Sequence, residues 1–272
     1  MKLLIRTQLP ENDADQWQTS PYARYMAKLG WKVVGAPGSY GYARTIGPFV
    51  FVKYILTDAE PSLDEVYAKT GSRHGLMYWS PRRRLDIPVR WREGSQKSFL
   101  HDWRQGFSVV RPDYQDTWSN RASRNLKSFL SSEARMRSGT VQEYCSALPT
   151  SLLPKSLRGL ILEKLKKFDP LTLRVFLVEY GNQIVGGLCT LPYHLSSTHI
   201  SSFLTPTGKE INAGTGCIDA WYQDALQTGI TYLHFGGVWG QNDPKGWQGF
   251  SEFKRNFIDY EVEFESAYWK WF

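Results

Sequence analysis

The chain has 272 residues, of which 42% are hydrophobic and 22% charged, an ordinary globular composition with room for one large domain or two of average size. Basic residues outnumber acidic ones 33 to 26, and aromatic residues reach 15% with 11 Trp. That balance favours anionic partners (nucleic acid, an anionic membrane surface or a phosphorylated substrate) and supplies material for deep pockets and stacking surfaces. The three cysteines, Cys145, Cys189 and Cys217, are scattered; without a C-x-x-C pair or a histidine at ligand spacing they argue against a metal site and fit a reducing compartment as small buried hydrophobes. No apolar run approaches the roughly 20 residues of a membrane span, and the opening Met1–Arg6 is too short for a signal peptide, so a cytoplasmic protein, able to touch a membrane surface, is expected.

Along the chain, Leu3–Ile5 reads as an early strand or the run into a helix. Tyr22, Tyr25, Met26 and Leu29 fit an amphipathic helix opened by Ser20 as cap and Pro21, and closed by Gly30. Strands are expected at Trp31–Val34, Tyr40–Thr45 and Phe49–Leu56, a helix over Asp58–Thr70 and a strand at His74–Trp79. Pro81-Arg-Arg-Arg84 is the densest basic cluster, a solvated loop or an anion contact. A short strand follows at Phe107–Arg111. Over Asp116–Arg137 a helix carries Arg121 and Arg124 on one face and Leu126, Phe129 and Leu130 nearer the other, with Arg135 and Arg137 extending the basic run. Such a helix suits phosphate contact, and surface helices often carry the same pattern.

Two helices, Val141–Leu148 and Ser156–Phe168, are separated by Pro149 and Pro154. Leu171–Tyr180 and Gln183–Leu191 form a hairpin about Gly181-Asn182, and Gly186-Gly187 suggests a bulge or a close backbone approach. Then come a strand at Thr198–Leu204, a loop at Gly208–Gly216, a helix at Cys217–Thr228 and a strand at Thr231–Phe235. A glycine-rich loop, Gly236–Gly249, contains Lys245 and Trp247. It leads to a helix at Phe250–Phe257, capped by Ser251 with Glu252 in its first turn, and to a last strand at Glu261–Tyr268. Phe250, Phe253 and Phe257 share one face of that final helix, with Lys254 beside them. A cation at the edge of an apolar strip can hold a carbonyl oxygen or a phosphate; the plainer reading is a core stripe and a solvated lysine. The class is mixed α/β. The first half runs α–β–β–β–α–β and the second α–α–β–β–β–α–β–α–β, a recurrence of element order without a residue-level repeat.

The β–β–β–α–β–α–β order resembles the GNAT acyltransferase fold. The ending Phe235-Gly-Gly, Lys245-Gly and Gly249-Phe-Ser-Glu-Phe-Lys-Arg-Asn-Phe257 resembles the close of the FemAB family, and Phe253, Lys254 and Phe257 match its Phe-Lys-x-x-Phe helix residue by residue. Ser20-Pro-Tyr with Gly30-Trp31 is similar to the family's early helix, and Arg121–Lys127 to the basic helix linking its halves. The resemblance implies two tandem GNAT-like domains: a reduced one over residues 1–115, a basic linking helix over 116–140 and a second domain over 141–272. It implies transfer of an aminoacyl group from aminoacyl-tRNA to an amine on a lipid-linked peptidoglycan precursor, by a monomer without a cofactor. Lys254, with Phe253, would meet the reacting carbonyl or a neighbouring phosphate. Lys32 or Lys28 would contact the precursor's diphosphate, and Arg121, Arg124, Lys245, Trp247 and Phe257 would complete the substrate contacts. The chain is short for the family, carries Ile258 where a glycine is frequent, and lacks the long coiled-coil insertion of some members.

Such a transfer needs proximity and a stabilised carbonyl oxygen more than covalent help. Asp219, Asp243 and Glu252 are candidate bases, though Asp243-Pro244 also reads as a turn. His234 on its strand is a candidate or a satisfied core histidine. No Ser/His/Asp or Cys/His order supports a nucleophile. A rival enzyme reading is a coenzyme-A-dependent N-acyltransferase, in which Gly214 and Gly216, at the start of the Cys217 helix, would cradle acyl-CoA pyrophosphate. A further rival is a non-catalytic module binding RNA or a lipid-linked phosphate.

Overall fold

The computed structural model describes residues 4–6, 16–57, 59–82, 88, 90–94, 104–238, 248–264 and 267–272. Among them the chain forms a six-stranded and an eight-stranded mixed sheet with flanking helices. Two compact units result. Among the described residues, one takes in those within 5–105 and 262–272, and the other those within 106–238 and 248–261. The partition expected at residues 115 and 140 therefore takes a different form. The basic helix lies inside the second unit, and the end of the chain returns to the first.

After β1 (Leu4–Arg6), helix α1 (Ser20–Lys28) opens the first unit. Its cap is Thr19 rather than Ser20: the Tyr22 amide donates to Thr19 Oγ1 at 3.3 Å, leaving Ser20 and Pro21 as the first helical residues. Strands β2 (Lys32–Val34), β3 (Gly41–Ile46) and β4 (Phe49–Thr57) form an antiparallel meander. Helix α2 (Leu63–Thr70), capped by Ser62, crosses over to β5 (Gly75–Pro81), which lies parallel to β4. Strand β6 is Arg92–Glu93. Side chains alternate across the strands. Ala43, Val52, Met77 and Trp79 therefore bury one face with Val66 of α2, while cross-strand partners Tyr42 and Lys53 look out of the other.

Strand β7 (Arg104–Val109) runs from the end of the first unit into the second, which continues with α3 (Asn120–Leu130). The expected helix over 116–137 stops at Leu130. Arg135–Ser138 is a strand, β8, at the edge of the large sheet, where Arg137 donates to Glu179 at 2.7 Å and pairs with Glu143 at 2.8 Å. Helices α4 (Val141–Ala147) and α5 (Lys155–Lys167) lead to β9 (Arg174–Tyr180) and β10 (Gln183–Tyr193). Their connecting residues, Gly181 and Asn182, both have positive φ, 55° and 61°, the left-handed pair that a tight hairpin requires. The register between β9 and β10 shifts at Ile184/Gly186, so the bulge expected there is present.

Strand β11 (Ser196–Leu204) is followed by α6 (Pro206–Glu210) and α7 (Ala213–Thr228). The stretch 208–216, expected as a loop, is thus largely helical, because Thr205 caps α6 and α7 starts four residues before Cys217. Then β12 (Tyr232–Gly237) lies parallel to β11, and α8 (Gln248–Arg255) starts before Phe250, so Ser251 is a buried helical residue and not its cap. The single last strand expected at 261–268 is two strands: β13 (Tyr260–Glu263) in the large sheet and β14 (Tyr268–Trp271), antiparallel to β5, in the small one. In the second unit α3 and α7 bury Trp118, Phe129, Trp221 and Tyr222 on one sheet face; Tyr144 of α4 covers the other, bonded to Ser201 at 2.8 Å. Among the described residues no helix is long and apolar enough to cross a membrane.

Candidate active site

Among the candidate site residues, Lys254 stands on α8. Despite being a lysine on a short helix it is 5% exposed, which corrects the plain expectation of a solvated side chain. Its Nζ donates to the Gly237 carbonyl at 2.7 Å and lies 4.4 Å from the centroid of Phe250, its neighbour one helical turn back. Gly236 has φ +70°, and a side chain built there would approach Nζ to 3.9 Å. The glycine pair at the end of β12 thus lets the backbone turn and brings a carbonyl oxygen to the ammonium.

The rest of the motif is packing. Phe257 is 1% exposed, wedged between Trp118 at 4.9 Å, Phe253 at 5.0 Å and Phe235 at 6.5 Å, with its carbonyl accepting from Tyr222 Oη at 2.8 Å. It belongs to the core and holds α8 in place. Phe253 lies against the start of α7, where a Cβ on Gly214 would come within 3.3 Å of its ring. A Cβ on Gly216 would overlap the ring of Phe129. Both glycines, expected as a pyrophosphate cradle, therefore have a packing reason: they let α8 and α3 approach α7 closely.

Two imidazoles stand near the ammonium. His234 on β12 is fully buried, stacked on Phe107 at 4.2 Å, with Nδ1 3.4 Å from Thr198 Oγ1. Burial, and then the Lys254 charge, lower its pKa to about 3. His199 on β11 was not singled out by the sequence. A bulge at Ile200 puts it in phase with Ser202, and its Nε2 lies 3.1 Å from Ser202 Oγ; in a regular strand residues three apart point to opposite faces. Its ring is 6.0 Å from Phe250, and burial followed by Lys254, Lys164 and His234 holds its pKa well below the ordinary range. At neutral pH the site thus carries two neutral imidazoles beside ammonium groups, an electropositive, partly desolvated setting suited to an oxygen that gains negative charge.

The other candidates fall elsewhere. Asp219 is committed: its carboxylate accepts from Tyr114 Oη at 2.6 Å, Gln115 Nε2 at 2.8 Å and Gln223 Nε2 at 2.7 Å, which ties α7 to the segment before α3. Glu252 is exposed on α8. Arg121, Arg124 and Lys127 line the exposed side of α3 and make no ion pair among the described residues. Asp243, Lys245, Trp247, Arg83 and Arg84 lie outside the described residues. The thiols of Cys189 and Cys217 are pushed up to about 12 by burial, which removes them as nucleophiles. No group of three His, Cys, Asp or Glu able to hold a metal occurs among the described residues.

In the first unit Lys32 stands exposed on edge strand β2, on the sheet face shared with Ala43, and Lys28 is exposed on α1. The lysine with built surroundings is Lys53, 7% exposed, its Nζ 4.7 Å from the ring centroids of both Trp17 and Trp31. Burial lowers its pKa to about 8 from 10.5. Because the folded value is the lower one, the unfolded chain binds more protons between pH 8 and 10.5, and the contribution of Lys53 to stability improves as pH rises through that window. Lys53→Met is expected to stabilise the protein at pH 7 by about 2–3 kcal/mol. Urea denaturation of both proteins at pH 7 and pH 9.5 checks this: the gap should narrow at the higher pH.

With two units each built on a mixed sheet, the chain has a FemAB-like fold. Its structure is similar to that of FemX, with a TM-score of 0.75 at 9% identity, covering 96% of this chain and 93% of that one. It is also similar to L-PGS from Bacillus licheniformis (TM-score 0.56, 11% identity, 90% and 86% covered) and to the C-terminal domain of a putative lysylphosphatidylglycerol synthetase from Agrobacterium fabrum (0.54, 11%, 92% and 86%). No family model matches the sequence, and no curated protein matches it.

Proposed function

We propose that the protein is an acyltransferase of the FemAB type, moving an aminoacyl group from aminoacyl-tRNA to an amine of a lipid-linked peptidoglycan precursor in the cytoplasm. The observation that carries this reading is the buried Lys254 ammonium, fixed by the Gly237 carbonyl and backed by Phe250. The FemX-like fold supports it, as does the likeness to proteins named for synthesis of a lysyl lipid.

In the reaction the acceptor amine attacks the ester carbonyl carbon. A C–N bond forms, the C–O bond to the tRNA ribose breaks, and the proton lost by the amine ends on the ribose oxygen. Lys254 would supply the cation that stabilises the oxyanion of the tetrahedral intermediate, and low-dielectric surroundings would strengthen that effect. Direct proton passage to the leaving oxygen fits a site in which Asp219 is already occupied and the imidazoles are weak bases. The exposed Arg121, Arg124 and Lys127 suit the phosphates of a nucleic-acid donor.

The test is loss of label from radiolabelled alanyl-tRNA, with and without a lysine-containing precursor peptide, alongside acetyl-coenzyme A with the same acceptor. Peptide-dependent loss from the tRNA is expected. Turnover of acetyl-coenzyme A alone would move the reading to the coenzyme-dependent class. Binding of tRNA without turnover of either donor would favour the non-catalytic module.

A further inference from the structure

Helix α5 presents an apolar and basic surface that the transfer reading does not use. Leu165 is buried, as is Phe168 just after the helix, but Leu157 and Leu160 face outward, Leu160 at 68% exposure. Leu152 before the helix is also exposed, and Leu171 after it is 95% exposed. Leu157, Leu160 and Lys167 recur at helical spacing, so two leucines and a lysine share one stripe. Across Lys155–Lys167 five basic residues (Lys155, Arg158, Lys164, Lys166, Lys167) face one acidic residue, Glu163, which leaves four net positive charges. Lys166 pairs with Glu163 at 2.9 Å in a fully solvated setting that adds little.

Outward leucines among lysines are what an interfacial helix offers an anionic bilayer. The leucines enter the headgroup boundary, and the lysines, with flexible apolar stems, meet lipid phosphates. We propose that α5 with Leu152 and Leu171 is a docking face for the surface of a membrane rich in anionic phospholipid. Charge complementarity selects that occupant: a second copy of this chain would set the same positive stripe against itself. Docking would hold the protein where a lipid-linked acceptor is found, a placement that rests on the transfer reading, while the docking itself does not.

Co-sedimentation of the full chain with phosphatidylcholine vesicles, with and without phosphatidylglycerol, tests the proposal. Binding is expected to need phosphatidylglycerol, to weaken with added salt, and to fall roughly tenfold or more in Lys166→Gln/Lys167→Gln. A comparable fall is expected in Leu160→Gln/Leu171→Gln. Leu160, Lys166 and Leu171 are exposed and Lys167 is half-buried, and each replacement keeps a side chain of similar length, so thermal melts should match the parent. Absence of binding by the parent, or binding unchanged in both variants, overturns the proposal. So does a concentration-dependent dimer that Leu160→Gln dissolves without any vesicle binding, or tRNA binding lost in the lysine variant without vesicle binding. Vesicle binding in a protein inactive toward alanyl-tRNA would leave docking standing and remove the transfer reading alone.

Discussion

Lys254→Met is expected to lower the rate of acyl transfer by roughly 10²–10³-fold, the loss typical when an oxyanion-stabilising group is removed. Methionine keeps much of the stem volume and removes the charge. The fall should appear in kcat with little change in KM, because the interaction strengthens only as the carbonyl oxygen gains charge. The variant also loses the bond to Gly237 O, at a cost of about 1 kcal/mol, small enough for the fold to persist. Lys254→Arg should not restore the rate, since a planar guanidinium cannot reproduce a compact ammonium packed between Phe250 and the β12 carbonyl. Single-turnover kinetics beside thermal melts separates the catalytic loss from the structural one.

Acidification is expected to destabilise the protein steeply below neutrality, with His234 as a main cause. Its folded pKa is about 3 against an ordinary 6.5. Between those values the unfolded chain binds a proton that the folded chain refuses, so stability falls as pH drops through that window. The ceiling is roughly 4–5 kcal/mol for one group with such a shift. His199, also depressed, acts in the same direction. His234→Phe should flatten the profile of urea stability between pH 6.5 and 4. Lys254→Met should make the acid loss only slightly smaller, because removing the lysine charge lets the folded His234 pKa rise a little while burial, the larger cause, stays in place.

Much of the element order was legible because it is written in local signals. Alternating runs around Gly181-Asn182 marked the β9–β10 hairpin, and Gly186-Gly187 marked its bulge. The Phe-Lys-x-x-Phe spacing marks Lys254, though not its burial. What stayed hidden depends on partners distant in sequence. Gly214 and Gly216 look alike in a phosphate loop and in a helix crossing, and only the rings of Phe253 and Phe129 distinguish the two. Lys53 sits in a strand of apolar residues, and the indoles that hold it come from segments outside that strand. The role of His199 follows from an extra residue in β11, for which the sequence carries no marker. The division of the final residues between two sheets is likewise a choice of pairing partner, to which a β-rich pattern is blind.

The most direct measurement is the mass of the acceptor peptide after a single turnover with alanyl-tRNA labelled at the carbonyl carbon. The expected result is a peptide heavier by one labelled alanyl residue, joined through an amide, formed by the parent protein and nearly absent with Lys254→Met. Free labelled alanine in place of the peptide adduct, or equal adduct from the two proteins, would contradict a transferase organised around the Lys254 ammonium.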